Sequence, residues 1–257
     1  MISIRNTENL TGVTISGDYN DFYCLVDAFH DLIIDEYSEK YHEYIEMSIR
    51  LLSVCYDVRH AYMGDREIAF VDNHLDEDKM KWHGMIASNK NVHYECNCLY
   101  PEMIYAMFAI NELIDVRIRI LLKKNHIYHD AYINKNVVFD KTIITLRGFQ
   151  SAFAECVRET LTPNLYSRWL TSITTPYLPI YLMAKQYLDI INLKYINMTK
   201  EKRLKDFTAI TRRISNYWND AEYQAVKRDV SKAAKLHGCA ESQIKLSRHN
   251  FPDEIEW

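Results

Sequence analysis

A chain of 257 residues, 48% hydrophobic and 26% charged, carries enough apolar side chain to bury a sizeable core, and this balance excludes long disorder. Its 6 glycines and 5 prolines are too few for a sandwich or barrel and predict long helices. The net charge of −4 hides a polarity: residues 1–115 hold 8 Lys/Arg against 21 Asp/Glu, and residues 116–257 hold 23 against 14. Such halves suit docking through complementary fields, head-to-tail self-association, or a basic surface for nucleic acid.

In chain order, Ile2–Arg5 and Thr11–Ser16 read as two short strands. A helix follows, with Phe22, Leu25, Val26, Phe29 and Ile33 forming a one-sided stripe and Asp18 placed to cap its first turn. A second helix is predicted over His42–Met63 and ends at Gly64, where a left-handed residue is commonly needed. Arg66–Val71 reads as a third strand, Asp72–Lys90 as a loop, and Asn91–Leu99 as a fourth strand. Pro101 opens a helix that is apolar on nearly every side to Leu122 and should be central and buried.

Beyond Asn125 the pattern is helical after a short β stretch at Val137–Phe139. Helices are predicted over Lys141–Leu161, Leu165–Ser172, Ile180–Ile196, Lys200–Asn219 and Ala221–His237. Thr199 and Asp220 read as N-caps and Gly238 as a stop, and the tail has the pattern of a short strand. The fold class is therefore α+β: a small antiparallel sheet packed on helices, followed by an all-helical C-terminal half. Residues 1–125 and 126–257 form either two subdomains or one compact domain.

The segments LTGVTISGDYNDFYCLVDAFHDLI, VCYDVRHAYMGDREIAFVDN and LKYINMTKEKRLKDF resemble an uncharacterised family of bacterial proteins of about this length. The resemblance implies a bacterial, cytoplasmic protein and supplies no activity, cofactor or catalytic residue to carry over. The six cysteines read as reduced thiols, in keeping with a cytoplasmic setting. The most apolar run, from Tyr177 to Leu193, is interrupted by Lys185 and Asp189, so no membrane span is expected.

Two arginines stand out. On a helical wheel Arg59 lies within the apolar face formed by Ile45, Leu52, Cys55, Tyr56 and Met63. Arg117 lies opposite the polar stripe of Asn111, Glu112, Asp115 and Arg119. A buried guanidinium needs an acid, several carbonyls or a bound anion. The pair therefore reads either as internal ion pairs or as a pocket for an acidic small molecule. Asp57 and His60, three apart, can meet on a helix surface as a base with its orienting acid, or simply form a solvated rim.

Arg119 and His126 form an R-x6-H pair that resembles the motif of HEPN-type, metal-independent ribonucleases. The resemblance would give His126 the 2′-hydroxyl proton and Arg119 the phosphate. His93, Cys96 and Cys98 hint at metal, but strand alternation sends His93 to the opposite face from the cysteines, and no metal or cofactor is expected. Lys200, Lys202, Arg203 and Lys205 make a basic stretch suited to phosphate contact or protein docking. With no nucleotide or hydrolase motif present, the sequence favours a non-enzymatic binding or regulatory protein. A protein partner or self-association is preferred to nucleic acid.

Overall fold

Short alternating segments near the N-terminus build β1 (Ser3–Asn6), β2 (Gly12–Gly17), β3 (Glu67–Asp72) and β4 (Lys90–Leu99). In the computed structural model, which describes residues 1–122, 134–174, 178–245, 251–252 and 254–257, they form one antiparallel sheet of order β1-β2-β4-β3. Pairing with period 2 sorts the side chains. Val13, Ile15, Cys96 and Cys98 share the face that meets the helices, while Arg5, Thr14, Glu95 and Asn97 share the other.

The helices are α1 (Tyr19–Leu32), α2 (Ile45–His60), α3 (Glu77–Trp82) and α4 (Tyr100–Leu122). Then follow α5 (Lys135–Val138), α6 (Lys141–Thr160), α7 (Pro163–Ile173), α8 (Lys185–Ile196), α9 (Lys200–Ser215) and α10 (Ala221–His237). Asp18 and Asp21 close a capping box on α1, and the Thr199 and Asp220 side chains accept backbone N–H groups at the starts of α9 and α10. Gly64 (φ 91°) and Gly238 (φ 63°) adopt the left-handed backbone that ends their segments, a conformation other residues take only with strain.

Helix α4 is the axis of the core, as its all-round apolarity predicts. α2 and α8 pack against it, α1 packs on α2 and α6, and α6 covers β1. The ring of Tyr100 meets Phe153, Tyr195 and Phe207, which joins α4 to α6, α8 and α9. One apolar core thus runs from Val13 to Tyr223 through both halves of the sequence.

Several expectations need correction. Val137–Phe139 is not a strand: Val137 and Val138 lie in α5, capped by Asn134. The segment after β3 contains α3, started by Asp76. The helix expected over Ile180–Ile196 breaks at Met183 and Ala184, both extended. There the carbonyls of Pro179 and Leu182 accept from the hydroxyls of Tyr217 and Tyr223. The tail adds no strand among the described residues. Instead the carbonyls of Glu256 and Trp257 accept hydrogen bonds from Thr11 and Asn9.

Candidate functional site

β3 pairs only with Lys90–Glu95 of β4, so Cys96–Leu99 have no strand on that side among the described residues. A cavity of 830 Å³ lies beside this free edge, within the size range of ligand pockets. Its walls come from α2 (Arg50, Ser53, Val54, Asp57), the turn into β3 (Asp65, Arg66), α8 (Asp189) and the tail (Phe251, Ile255, Trp257).

Charge in the cavity is dense but paired. Arg50 donates through Nε to Glu102 Oε2 at 3.1 Å, through Nη2 to Glu102 Oε1, and through Nη1 to Asp189 Oδ1 at 2.7 Å. Burial works against the Arg50 charge, but Glu102 and Asp189 outweigh it and raise its pKa. Asn192 Nδ2 also donates to Glu102 Oε1, at 2.5 Å. Arg5 grips Glu95 with both nitrogens, at 2.8 and 2.7 Å; that bond raises the arginine and lowers the acid. Arg66 Nη2 donates to Asp57 at 2.9 Å.

Three arginines therefore face six carboxylates, and each arginine is already bound by at least one of them. Such a lining has little to offer a phosphate or carboxylate. Burial pushes the thiols of Cys96 and Cys98 well up, so neither is a ready thiolate nucleophile.

At β3 the sheet runs past its helices. Every residue of β3 except Ala69 is exposed, and Ala69 is half-buried. Ile68 lies opposite Tyr94 and Phe70 opposite Val92, on the same face as the buried Cys96. The core-facing side of the sheet thus continues as an uncovered apolar patch, with Phe70 66% exposed. The connection from β3 to β4 carries two further exposed apolar side chains, Trp82 at 86% and the fully exposed Ile86. The outer edge of β3 has no strand beside it among the described residues.

A family model for a domain of unknown function, DUF6904, matches residues 2–257. The chain belongs to this family. No curated protein and no solved structure matches it.

In this DUF6904 chain the residues singled out by sequence fall apart in space. Arg59 is exposed and lies over the Tyr56 ring at 5.7 Å, which corrects its expected burial. The buried face of α2 is Met47, Ser48, Leu51, Val54, Cys55 and Val58, and the arginine drawn inward on its flank is Arg50. Arg117 is half-buried and committed: it binds both oxygens of Asp140, at 3.0 and 2.8 Å, and the Asp31 carbonyl at 2.8 Å.

Asp57 and His60 do not pair with each other: Asp57 binds Arg66, and His60 Nδ1 lies 2.7 Å from Asp65. Arg119 is exposed and bound to Asp115, while His126 lies outside the described residues. His93 meets Ser16 at 3.5 Å, across the sheet from Cys96 and Cys98. Among the described residues no group of three or more His, Cys, Asp or Glu side chains converges as metal ligands. All six cysteines are free thiols. No helix among the described residues is long and apolar enough to cross a membrane.

Lys200, Lys202 and Lys205 are exposed, but Arg203 is 5% exposed and does not belong to the basic surface. It donates to the carbonyls of Asn9, Tyr195 and Ile196 and to the Thr11 hydroxyl. A spacing signal existed for both inward arginines. Met47, Leu51, Val54 and Val58 are spaced 4, 3, 4, and so are Arg203, Phe207, Ile210 and Ile214.

Sequence reasoning also passed over Glu112 on α4. Burial raises its pKa to about 7, against hydrogen bonds from the backbone N–H groups of Tyr181 and Ile180. Its Oε2 is buried and finds no partner among the described residues.

Proposed function

We propose that this chain is a non-catalytic binding protein that engages another protein through the β3–β4 ribbon. The observation that carries the reading is the apolar overhang of Ile68, Phe70 and Val92 on a sheet edge with no strand beside it among the described residues. A contiguous exposed apolar patch beside unpaired backbone groups marks an interaction surface. The cavity lining supports the same reading, since its arginines are neutralised and its thiols protonated. The reading of Arg59 and Arg117 as a joint pocket for an acidic small molecule loses its basis, because one is exposed on α2 and the other is held by Asp140.

The test is a photoreactive residue at Phe70, irradiated in the source cells, with the still more exposed Tyr37 as control. The expected result is a protein adduct at position 70 that disappears with Val92→Lys and is not seen at position 37. Equal labelling at both positions sinks the reading.

A second reading is nucleic-acid contact through the exposed Lys200, Lys202 and Lys205 on α9. Phosphate contacts release counterions, so affinity would fall steeply with salt. Changing the three lysines to Gln would flatten that slope. A ribonuclease using Arg119 and His126 would instead lose metal-independent cleavage with His126→Ala.

A further inference from the structure

The partner chemistry can be read from the β3 edge. Backbone N–H and C=O groups of a strand point to alternate sides, so two directly opposed residues in an antiparallel pair point these groups either both toward each other or both away. When a strand pairs with a copy of itself about a two-fold axis, the axis must therefore pass through a residue and not between two. For β3 this leaves three central registers. An axis at Phe70 sets Ile68 against the charged Asp72 and Glu67 against Asn73. An axis at Ile68 sets Phe70 against Arg66 and Val71 against Asp65.

An axis at Ala69 sets Ile68 against Phe70 and Arg66 against Asp72, each pair occurring twice by symmetry. Of the three registers this is the one that opposes a positive to a negative side chain while keeping Ile68 on Phe70; on the other face it sets Glu67 against Val71. Ala69, the smallest side chain of the strand, lies on the axis where two copies approach most closely. Arg66 holds Asp57 through Nη2, but its side chain is 39% exposed and that of Asp72 is 69% exposed, so Asp72 of the second copy can reach the guanidinium beside Asp57. Directly opposed residues point to the same face, so the two overhangs of Ile68, Phe70, Val92 and Tyr94 would merge into one patch.

We infer that the occupant of the ribbon is a second copy of this chain, joined β3 to β3 antiparallel with Ala69 on the two-fold axis. The inference rests on the docking role proposed for the ribbon and adds its partner and register. The joined sheets form one continuous sheet, and each copy contributes the same strand, as a two-fold interface requires. Continued past Asp72, the register lays Asn73 against Asp65 of the second copy.

The test is sedimentation of the full chain, with circular dichroism to confirm folding. The parent chain should dimerise, and Phe70→Lys should leave it monomeric. Arg66→Asp and Asp72→Arg should each weaken the dimer by about tenfold, since two attractive cross-strand pairs become repulsive. The two changes together should restore dimerisation, which a heterologous contact or simple damage to β3 would not do.

Ala69→Cys, treated with diamide as oxidant, should cross-link two copies. The Cα atoms opposed on the axis lie about 4.5–5.5 Å apart, within disulfide range. Glu67→Cys should not cross-link, because the two copies of residue 67 are about 13 Å apart in this register. A monomeric parent chain, a dimer indifferent to Phe70→Lys, or equal cross-linking at both positions overturns the inference. The adduct at Phe70 separates the two proposals. One of twice the chain mass supports self-pairing, a different protein leaves the docking role but removes self-pairing, and no adduct removes both.

Discussion

β2 and β3 flank the same strand, yet β2 is buried along its whole length and β3 has no fully buried residue. Composition does not explain this. β2 carries Thr14 and Ser16 and hides them; β3 carries Ile68 and Phe70 and shows them. The reach of the neighbours decides it. α1 and α4 cover β2 and α6 covers β1, while β3 packs on β4 and the turn at Ala61–Asp65. Strand preference reflects fit to a half-buried surface, and here that surface ends part-way along the sheet.

The contrast can be broken first at its buried side. Ile15→Ala, at a site with no exposure, should cost about 3–4 kcal/mol through lost transfer energy and a residual cavity, read as a lower urea midpoint. A loss near zero would mean that β2 is as loosely held as β3. At the boundary, Arg50→Ala leaves Glu102 and Asp189 without their cation and should cost about 2–4 kcal/mol. Arg50→Lys should recover only part of this, because an ammonium cannot reproduce the fork on Glu102.

Away from the sheet, Glu112 shows the same dominance of surroundings over residue type. Its folded pKa lies above the ordinary 4.5, so its contribution to stability is fully present below that value and is lost as pH rises through about 7. The unfolding free energy of Glu112→Gln, read from denaturant titrations, should fall less across this window than that of the parent, by about 1–3 kcal/mol. An unchanged pH slope would show that another group sets it. The smallest effect belongs to the exposed side. Phe70→Ala in the monomeric chain should change stability by about 0.5 kcal/mol or less. A larger loss would mean that the overhang is packed within its own chain.

Where one periodic pattern dominated, the sequence was enough. Strand β4, the start of α6 at Lys141 and the whole of α10 lie where alternation, caps and Gly238 put them. It misled where two patterns compete. α2 has apolar residues around much of its circumference, and the stripe through Leu52 and Tyr56 hid the one through Leu51, Val54 and Val58. The choice moved Arg59 inward and passed over Arg50, the arginine that the structure draws in. On α9, grouping Arg203 with Lys200, Lys202 and Lys205 as one basic stretch placed it in solvent, though it is buried. The cavity had no local signal. Its walls join Arg5, Arg50, Glu95 and Asp189, which only the tertiary fold brings together.

The buried Arg203 has a bearing on synthesis. The carbonyl of Asn9 and the hydroxyl of Thr11 both wait for this guanidinium, and Thr11 in turn donates to Glu256 at the far end of the chain. A ribosome adding about 5–20 residues per second needs roughly 10–40 s to travel from Thr11 to Arg203. Throughout that interval the bend between the first two strands lacks the side chain that holds it. This bend is therefore made well before it is secured, and a nascent chain stalled before α9 would present an unfinished hairpin of β1 and β2.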